Sequence, residues 1–178
     1  MQTGIICIKI IGALCIILGC TGTGLTVGRS WRKRCEQLEK MRQSLRLLQG
    51  EIRYTGAELP EAIEQAAQRI EVPFSDFYLY LAKKMRQMEG KSLKILWQTG
   101  MEKYFKNTYL TKEDRKIFLD LGGQLGYLDR EMQLSSIASS LVQVDECING
   151  LQKCMTQKQK LSISLGLLSG FFLMILLV

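Results

Sequence analysis

The side chains that usually carry enzymatic chemistry are few in this chain and poorly arranged for it. None of the 178 residues is histidine, so a nucleophile would need a lysine or a carboxylate as its base, and no local arrangement suggests one. Gly122, Gly123 and Gly126 are closely spaced, but they lack the following lysine and the preceding strand of a phosphate-binding loop. The sequence therefore predicts a protein that is not an enzyme and has no small-molecule substrate.

The six cysteines do not form a metal-binding or disulfide pattern. Three fall inside an apolar segment near the start and three are scattered, without a CxxC pair: Cys7, Cys15, Cys20, Cys35, Cys147 and Cys154. Without histidine or a close cysteine pair, a transition-metal site lacks its usual ligands. We therefore predict reduced thiols, no metal and no cofactor.

The segment from Phe118 to Gln133, FLDLGGQLGYLDREMQ, is the most informative local sequence. Structurally, it is a helix end and a tight turn, in which glycine permits positive φ or close backbone approach and Asp129 caps the next helix. Functionally, it is an exposed polar corner that contacts a partner, with Arg130 as an exposed charge of little weight in stability. The two interpretations are compatible.

The net charge of +7 is concentrated beside the two most apolar segments. Residues 29–46 carry seven basic and two acidic side chains, whereas residues 47–152 carry 13 basic and 15 acidic ones. This placement fits anionic lipid headgroups better than nucleic acid. The flanking basic residues are Arg29, Arg32, Lys33, Arg34, Lys153, Lys158 and Lys160.

The apolar segments predict two membrane spans around one soluble domain. Residues 1–28 form an N-terminal transmembrane segment, residues 29–160 a helical domain and residues 161–178 a C-terminal transmembrane helix. Because both basic clusters lie on the domain side, the domain is expected in the cytoplasm. The alternative is an envelope protein with its domain outside the cytoplasm, since Ile17 to Cys20 approximates a lipoprotein cleavage box.

Between the spans the apolar periodicity is helical throughout, which predicts an all-α fold: an antiparallel bundle of about six helices flanked by the two transmembrane helices. The first helix runs from about Trp31 to Tyr54, and the second lies between Pro60 and Pro73. The later helices are marked by Phe74 to Gly90, Leu93 to Phe105, Thr111 to Gly126 and the seam that starts at Leu134. Antiparallel packing of the first and sixth seams predicts a membrane-proximal stalk, and the aromatic residues are expected in the core.

Five stretches together resemble the stage III sporulation protein AB family of endospore-forming bacteria. They are the basic WRKR flank at residues 31–34, LLQGEI at 47–52, LPEA at 59–62, LGGQLGYLDREMQ at 121–133 and the apolar SLGLLSGFFLMILLV at 164–178. The resemblance covers essentially the whole chain and implies a component of the channel between mother cell and forespore. The soluble domain is also similar to the cytoplasmic domain of the inner-membrane platform protein of type II secretion.

The resemblance implies a scaffold that docks the complex's secretion-type ATPase, similar to stage III sporulation protein AA, beside other membrane proteins of the channel. The domain would then lie on the mother-cell side of the outer forespore membrane and contact membrane lipid. The positions that match the family, and are therefore candidates for partner binding, are Glu51, Gly122, Gly126, Asp129, Arg130 and Gln133. The resemblance does not say which of them touches the ATPase.

Overall fold

A computed structural model describes residues 29–87, 90, 92–126 and 129–177, with side chains as far as residue 157. Within these ranges it contains six helices and no strand. The first, α1, covers residues 29–54, and the others are α2 (Leu59–Ala67), α3 (Phe74–Arg86), α4 (Leu93–Tyr104), α5 (Lys112–Leu125) and α6 (Arg130–Leu177). The predicted all-α fold is confirmed.

Helices α1 and α6 pack against each other in opposite directions. Arg130 at the start of α6 contacts the carbonyl of Ile52 near the end of α1. Further along the pair, Arg42 contacts Asp145 at 3.1 Å. The predicted pairing of the two seams is therefore confirmed. The seam residues buried in the core are Leu38, Met41, Leu45, Leu48 and Ile52 of α1, with Leu134, Ile137, Val144, Ile148 and Leu151 of α6.

Small polar residues replace one turn of the predicted apolar seam. Leu141 is only partly buried, whereas the neighbouring Ser140 is buried together with Ser44 of α1. The hydroxyl of Ser44 donates to the carbonyl of Met41 at 2.8 Å, and it accepts a long hydrogen bond of 3.5 Å from Tyr78. The small volume of both serines, and the hydrogen bonds of Ser44, allow them to lie inside the bundle.

Six aromatic rings fill the space that α3, α4 and α5 enclose. They are fully buried, and neighbouring rings are 4.8–6.4 Å apart between centroids. Several pairs meet edge to face, the arrangement that the ring quadrupole favours. The six rings are Phe74, Phe77, Tyr78, Trp97, Phe105 and Phe118. The prediction that the aromatic residues form core is confirmed for them.

The second helix ends earlier than predicted. Pro60 lies in its first turn, as expected, but the helix ends at Ala67 rather than at Pro73. Its buried stripe is complete by Ala67, and the next residues turn so that Arg69 reaches Glu51 of α1. Val72 precedes a proline, which disfavours the helical conformation at that residue.

The predicted membrane spans stay predictions. The N-terminal segment, residues 1–28, lies outside the described residues. Helix α6 continues as backbone through residues 161–177, beyond the described side chains. Among the residues that the structure describes, no helix is both long enough and apolar enough to cross a bilayer.

An ion pair joins the start of α1 to the start of α5. The guanidinium of Arg34 donates to both carboxylate oxygens of Asp114, at 2.8 and 2.9 Å, and the Asp114 side chain is fully buried. Asp114 also accepts from the backbone N–H of Thr111, whose hydroxyl accepts from the Asp114 N–H, which completes a capping box. Burial opposes ionisation of Asp114, but these hydrogen bonds outweigh it and hold the pKa of the carboxyl below its ordinary value.

Replacement of Asp114 by asparagine is expected to lower the free energy of unfolding at neutral pH by about 2–4 kcal/mol, because Arg34 loses its charged partner. Since the pKa of Asp114 is depressed in the folded state, its stabilising effect is present above the ordinary carboxyl pKa of about 3.9 and is lost as the pH falls through the folded-state pKa. Urea unfolding of the full chain between pH 7 and pH 2 should therefore show a shallower acid decline for Asp114→Asn than for the wild type. The control is Asp120→Asn, an exposed site on α5, and an identical acid decline in both variants would contradict the assignment.

Candidate partner-binding site

The sequence-predicted candidates lie where three helices end or begin. We call this region the helix-end corner: residues 51–54 of α1, residues 122–126 of α5 with its C-cap, and residues 129–133, where α6 begins. Arg130 joins the first part to the third, and Gln133 joins the second to the third. The structure therefore brings the predicted positions together, and their contacts determine what each one does.

Asp129 and Gln133 satisfy backbone groups that the helix ends leave unpaired. The Asp129 carboxylate accepts from the N–H of Met132 at 2.9 Å, and its carbonyl accepts from the N–H of Gln133 at 2.8 Å. The predicted N-cap at Asp129 is thus confirmed. The side-chain amide of Gln133 donates to the carbonyl of Leu125 at 3.0 Å, at the last turn of α5.

Arg130 caps the end of α1 from the side. Its Nε donates to the carbonyl of Ile52 at 2.9 Å, and its Nη2 donates to the carbonyl of Arg53 at 2.5 Å. The last carbonyls of a helix are the negative end of its dipole, where a guanidinium is well placed. Arg130 is exposed, as expected, but its two hydrogen bonds to the end of α1 are contacts that the sequence did not indicate.

Glu51 is buried and holds α1 to the turn after α2. Only 7% of the residue is exposed, and its Oε1 lies 3.2 Å from Nη1 of Arg69. After Glu51 the chain leaves the helix through Thr55, whose hydroxyl donates to the Glu51 carbonyl at 2.6 Å. Gly56 follows with φ of +64°, a conformation that glycine adopts without strain. Glu51 consequently supports the corner from inside.

Gly122 and Gly126 allow α4 to approach α5. A Cβ atom on Gly122 would lie 2.1 Å from Cγ of Trp97, and one on Gly126 would lie 3.0 Å from Cβ of Leu93. Gly126 has φ of −75°, which is ordinary helical backbone. Of the two reasons given for these glycines, close approach is therefore correct, and positive φ does not apply to Gly126.

The indole of Trp97 packs against Gly122, and no hydrogen bond from its ring nitrogen to a described residue fixes its position. Its Nε1 is buried and has no hydrogen-bond partner among the described residues, so an N–H donor is left unpaired in the core. Such a group costs free energy, and the packing of the ring against three aromatic neighbours offsets it. The packing of the aromatic core therefore depends on the glycine that leaves room for the Trp97 ring.

Two apolar side chains project from the same corner into solvent. Tyr54, the last residue of α1, is 82% exposed, and Met132, in the first turn of α6, is 54% exposed. Beside them is a shallow cavity of about 440 Å³. Its lining consists of Arg53, Arg130, Glu131, Leu134, Ser135 and Ala138. Sequence analysis did not single out Tyr54 or Met132 as exposed, because periodicity alone cannot tell where the core ends along a helix.

At the opposite end of the bundle, the basic residues differ in what they contact. Arg34 donates to Asp114 in a partly buried ion pair, so it has a structural contact in addition to its predicted place as a membrane-flanking charge, which stays a prediction. Arg29, Arg32 and Lys153 are exposed, and Lys33 contacts the side chain of Tyr109. The side chains of Lys158 and Lys160 lie outside the described residues.

The fold and this site define a small all-helical bundle domain in which the motif residues hold helix ends together. Among the residues with described side chains, no three His, Cys, Asp or Glu are placed to bind a metal ion. The cysteines in that part, Cys35, Cys147 and Cys154, are free thiols. The polar side chains of this site hold helix ends together.

The chain belongs to the stage III sporulation protein AB family, whose model matches residues 9–178. Stage III sporulation protein AB of Bacillus subtilis (strain 168) is 26% identical over 171 residues, which cover 96% of this chain and 99% of that protein. A solved structure of a stage III sporulation protein AB matches with a TM-score of 0.62 at 22% identity, over 70% of this chain and 97% of that one. The structural likeness shows a shared fold, and the family membership places the chain among sporulation proteins.

Gly122→Ala is expected to lower the free energy of unfolding by about 2 kcal/mol or more, because the added methyl group overlaps the Trp97 ring and cannot be accommodated without a shift of the core. The measurement is chemical denaturation followed by Trp fluorescence. Gly123→Ala is the matched control: its Cβ would meet only Lys94, at 3.9 Å, and alanine in a helix is favoured over glycine by up to about 1 kcal/mol. Equal effects at the two positions would contradict the role of Gly122.

Arg130→Ala is expected to cost about 1–3 kcal/mol of stability, since two carbonyls at the end of α1 lose a charged donor. Thermal unfolding followed by circular dichroism is the measurement. Lys153→Ala serves as a control because it removes a charge from an exposed site of the same helix. If both variants have the melting temperature of the wild type, Arg130 contributes no more to stability than an ordinary surface charge.

Proposed function

We propose that this protein is a non-enzymatic membrane platform of the sporulation channel between mother cell and forespore, and that it docks a secretion-type ATPase through the helix-end corner. The observation that carries the proposal is the corner itself: three capped helix ends hold Tyr54 and Met132 in solvent. Membership of a sporulation family supports the biological setting.

A corner of this kind suits a docking surface because its backbone is ordered before a partner arrives. Asp129, Gln133 and Arg130 cap the helix ends, so little conformational entropy is lost when a partner binds. Tyr and Met are enriched at protein interfaces, where their apolar area is buried. Tyr54 and Met132 thus become the side chains that touch the partner.

The position of the corner also fits a platform. Residues 29–54 form one helix, whose length is about 38 Å at 1.5 Å per residue. If residues 1–28 cross the membrane, α1 holds the corner about that far from the bilayer, in the space where a soluble ATPase is found. The excess of basic residues at the near end favours a cytoplasmic domain, which in a sporulating cell lies on the mother-cell side of the outer forespore membrane.

The candidates taken from the family resemblance divide into two groups under this proposal. Glu51, Gly122 and Gly126 are buried or closely packed and shape the corner from inside. Asp129, Arg130 and Gln133 cap its helices. Arg53 and Glu131 at the edge of the shallow cavity supply exposed charges that orient a partner.

The double variant Tyr54→Ala/Met132→Ala is expected to weaken binding to the purified secretion-type ATPase of the same organism at least about tenfold, which corresponds to 1.4 kcal/mol. Its melting temperature should stay near that of the wild type, since both side chains are mostly exposed. Binding is measured with the full-length chain in nanodiscs by biolayer interferometry. Val142→Ala is the control, because Val142 is 59% exposed on the same helix but away from the corner. Equal loss in the control and the double variant, or no loss in either, would reject the corner as the docking site.

The second candidate is an envelope interaction protein, attached by a membrane segment or a lipid, with its domain outside the cytoplasm. The Ile17 to Cys20 sequence is the observation in its favour. Cys154 is exposed and carries a free thiol, so a membrane-impermeant maleimide separates the two topologies. Labelling of Cys154 in intact cells supports the envelope protein, and labelling only after permeabilisation supports the cytoplasmic platform.

A further inference from the structure

The connection between α4 and α5 lies against the start of α1, at the basic end of the bundle. We call residues 105–111, together with Lys112 in the first turn of α5, the α4–α5 loop. The backbone N–H of Tyr109 donates to the side-chain carbonyl of Gln37 at 2.6 Å. The ammonium group of Lys33 donates to the Tyr109 hydroxyl at 3.2 Å and lies 5.0 Å from the centre of its ring. The loop is therefore beside the first two turns of α1, although 72 residues separate Tyr109 from Gln37 in the chain.

The loop is rigid, and its rigidity places Tyr109 at the surface. Phe105 and Leu110, on either side of Tyr109, are buried in the core. Thr108 is tied back to the carbonyl of Phe105 at 2.8 Å, and Thr111 begins α5 with its capping box. Between these anchors 44% of Tyr109 stays exposed.

The charges around Tyr109 are predominantly basic. Lys106 and Lys112 are exposed within the loop, and Lys33 is exposed beside it. The Asp114 carboxylate, at the start of α5, is buried and neutralised by Arg34. Of the exposed carboxylates in this part of the described chain, Glu36 follows the basic run of α1 and Glu113 follows Lys112. The surface around Tyr109 thus carries more positive than negative charge.

We propose that the α4–α5 loop is a lipid-docking surface, which lays Tyr109 and its lysines on the anionic headgroups of the bilayer to which the chain is attached. A tyrosine has an apolar ring and a polar hydroxyl group, and such a side chain suits the interfacial region of a membrane. Lysines within a Debye length of an anionic leaflet are attracted to it. This inference rests on the proposed membrane attachment, because that attachment brings the start of α1, and the loop beside it, to the bilayer.

Lipid fits this surface better than an acidic protein does. The apolar contribution is a single ring flanked by flexible lysines, which matches a fluid layer of headgroups and lacks the larger buried patch of a stable protein interface. The loop contact also opposes rotation of the domain about α1, because it lies to one side of that helix. Two points of contact, α1 and the loop, orient the bundle relative to the membrane surface.

Hydrogen exchange of the full-length chain in nanodiscs tests the proposal. The amides of residues 106–110 should exchange more slowly in discs that contain phosphatidylglycerol than in discs of phosphatidylcholine alone. The difference should vanish at about 0.5 M salt, where the Debye length falls to about 4 Å. Lys106→Gln and Lys112→Gln should each reduce the ratio of docked to undocked loop about fivefold, the factor for ~1 kcal/mol per basic residue. The control, Lys83→Gln/Lys94→Gln, removes two exposed lysines of α3 and α4 and should change nothing.

The outcomes separate this inference from the proposed function. A chain that does not enter nanodiscs at all refutes the membrane attachment itself. A chain that is inserted, but whose loop exchanges equally in both lipids, refutes only the docking of the loop. Equal effects of the loop variants and the control variant would also overturn it, since the slower exchange would then depend on the net charge of the domain and not on the lysines of the loop. Slower exchange that requires an added acidic protein in place of anionic lipid would assign the surface to a protein partner and reject the proposal.

Discussion

The antiparallel contact between α1 and α6 is the constraint on which the rest of this bundle depends. Both helices are long, and their buried seams meet over most of the described length of α1. Once they are paired, the four shorter helices must cover the remaining apolar face from one side. The aromatic residues of α3, α4 and α5 do this by packing edge to face in a single cluster. The free energy of that cluster depends on apolar area, whereas its geometry depends on small residues such as Gly122.

Polar side chains have a different task in this fold, because they connect helix ends that are distant in sequence. Arg34 and Asp114 join the beginnings of α1 and α5, and Arg130 joins the start of α6 to the end of α1. Each pair satisfies backbone or charged groups that would otherwise be left without partners where the helices stop. The two ends of the bundle are thereby rigid. A rigid end can present exposed residues, Tyr54 and Met132 at one end and Tyr109 at the other, in fixed positions.

The sequence predicted the helices and their core well, since periodicity reports directly which face is buried. The seam of α1 and the N-cap at Asp129 both agree with the structure. The partners of the polar residues could not be predicted, because a contact between Arg34 and Asp114 spans 80 residues and leaves no local pattern. The glycines of α5 were ambiguous for a related reason: only the position of Trp97 decides that Gly122 is needed for space. Tyr109 was missed because it lies in a connection without periodicity.

The unbroken course of α6, from Arg130 to Leu177, has a mechanical consequence. A helix of 48 residues is about 72 Å long. Because the helix continues past the bundle, the direction of its distal part follows from the part that packs on α1. A rotation of about 5° imposed on the first turn, where Arg130 holds α1, displaces the last turn by about 6 Å. A small change in the orientation of the bundle therefore corresponds to a larger displacement at the far end of α6.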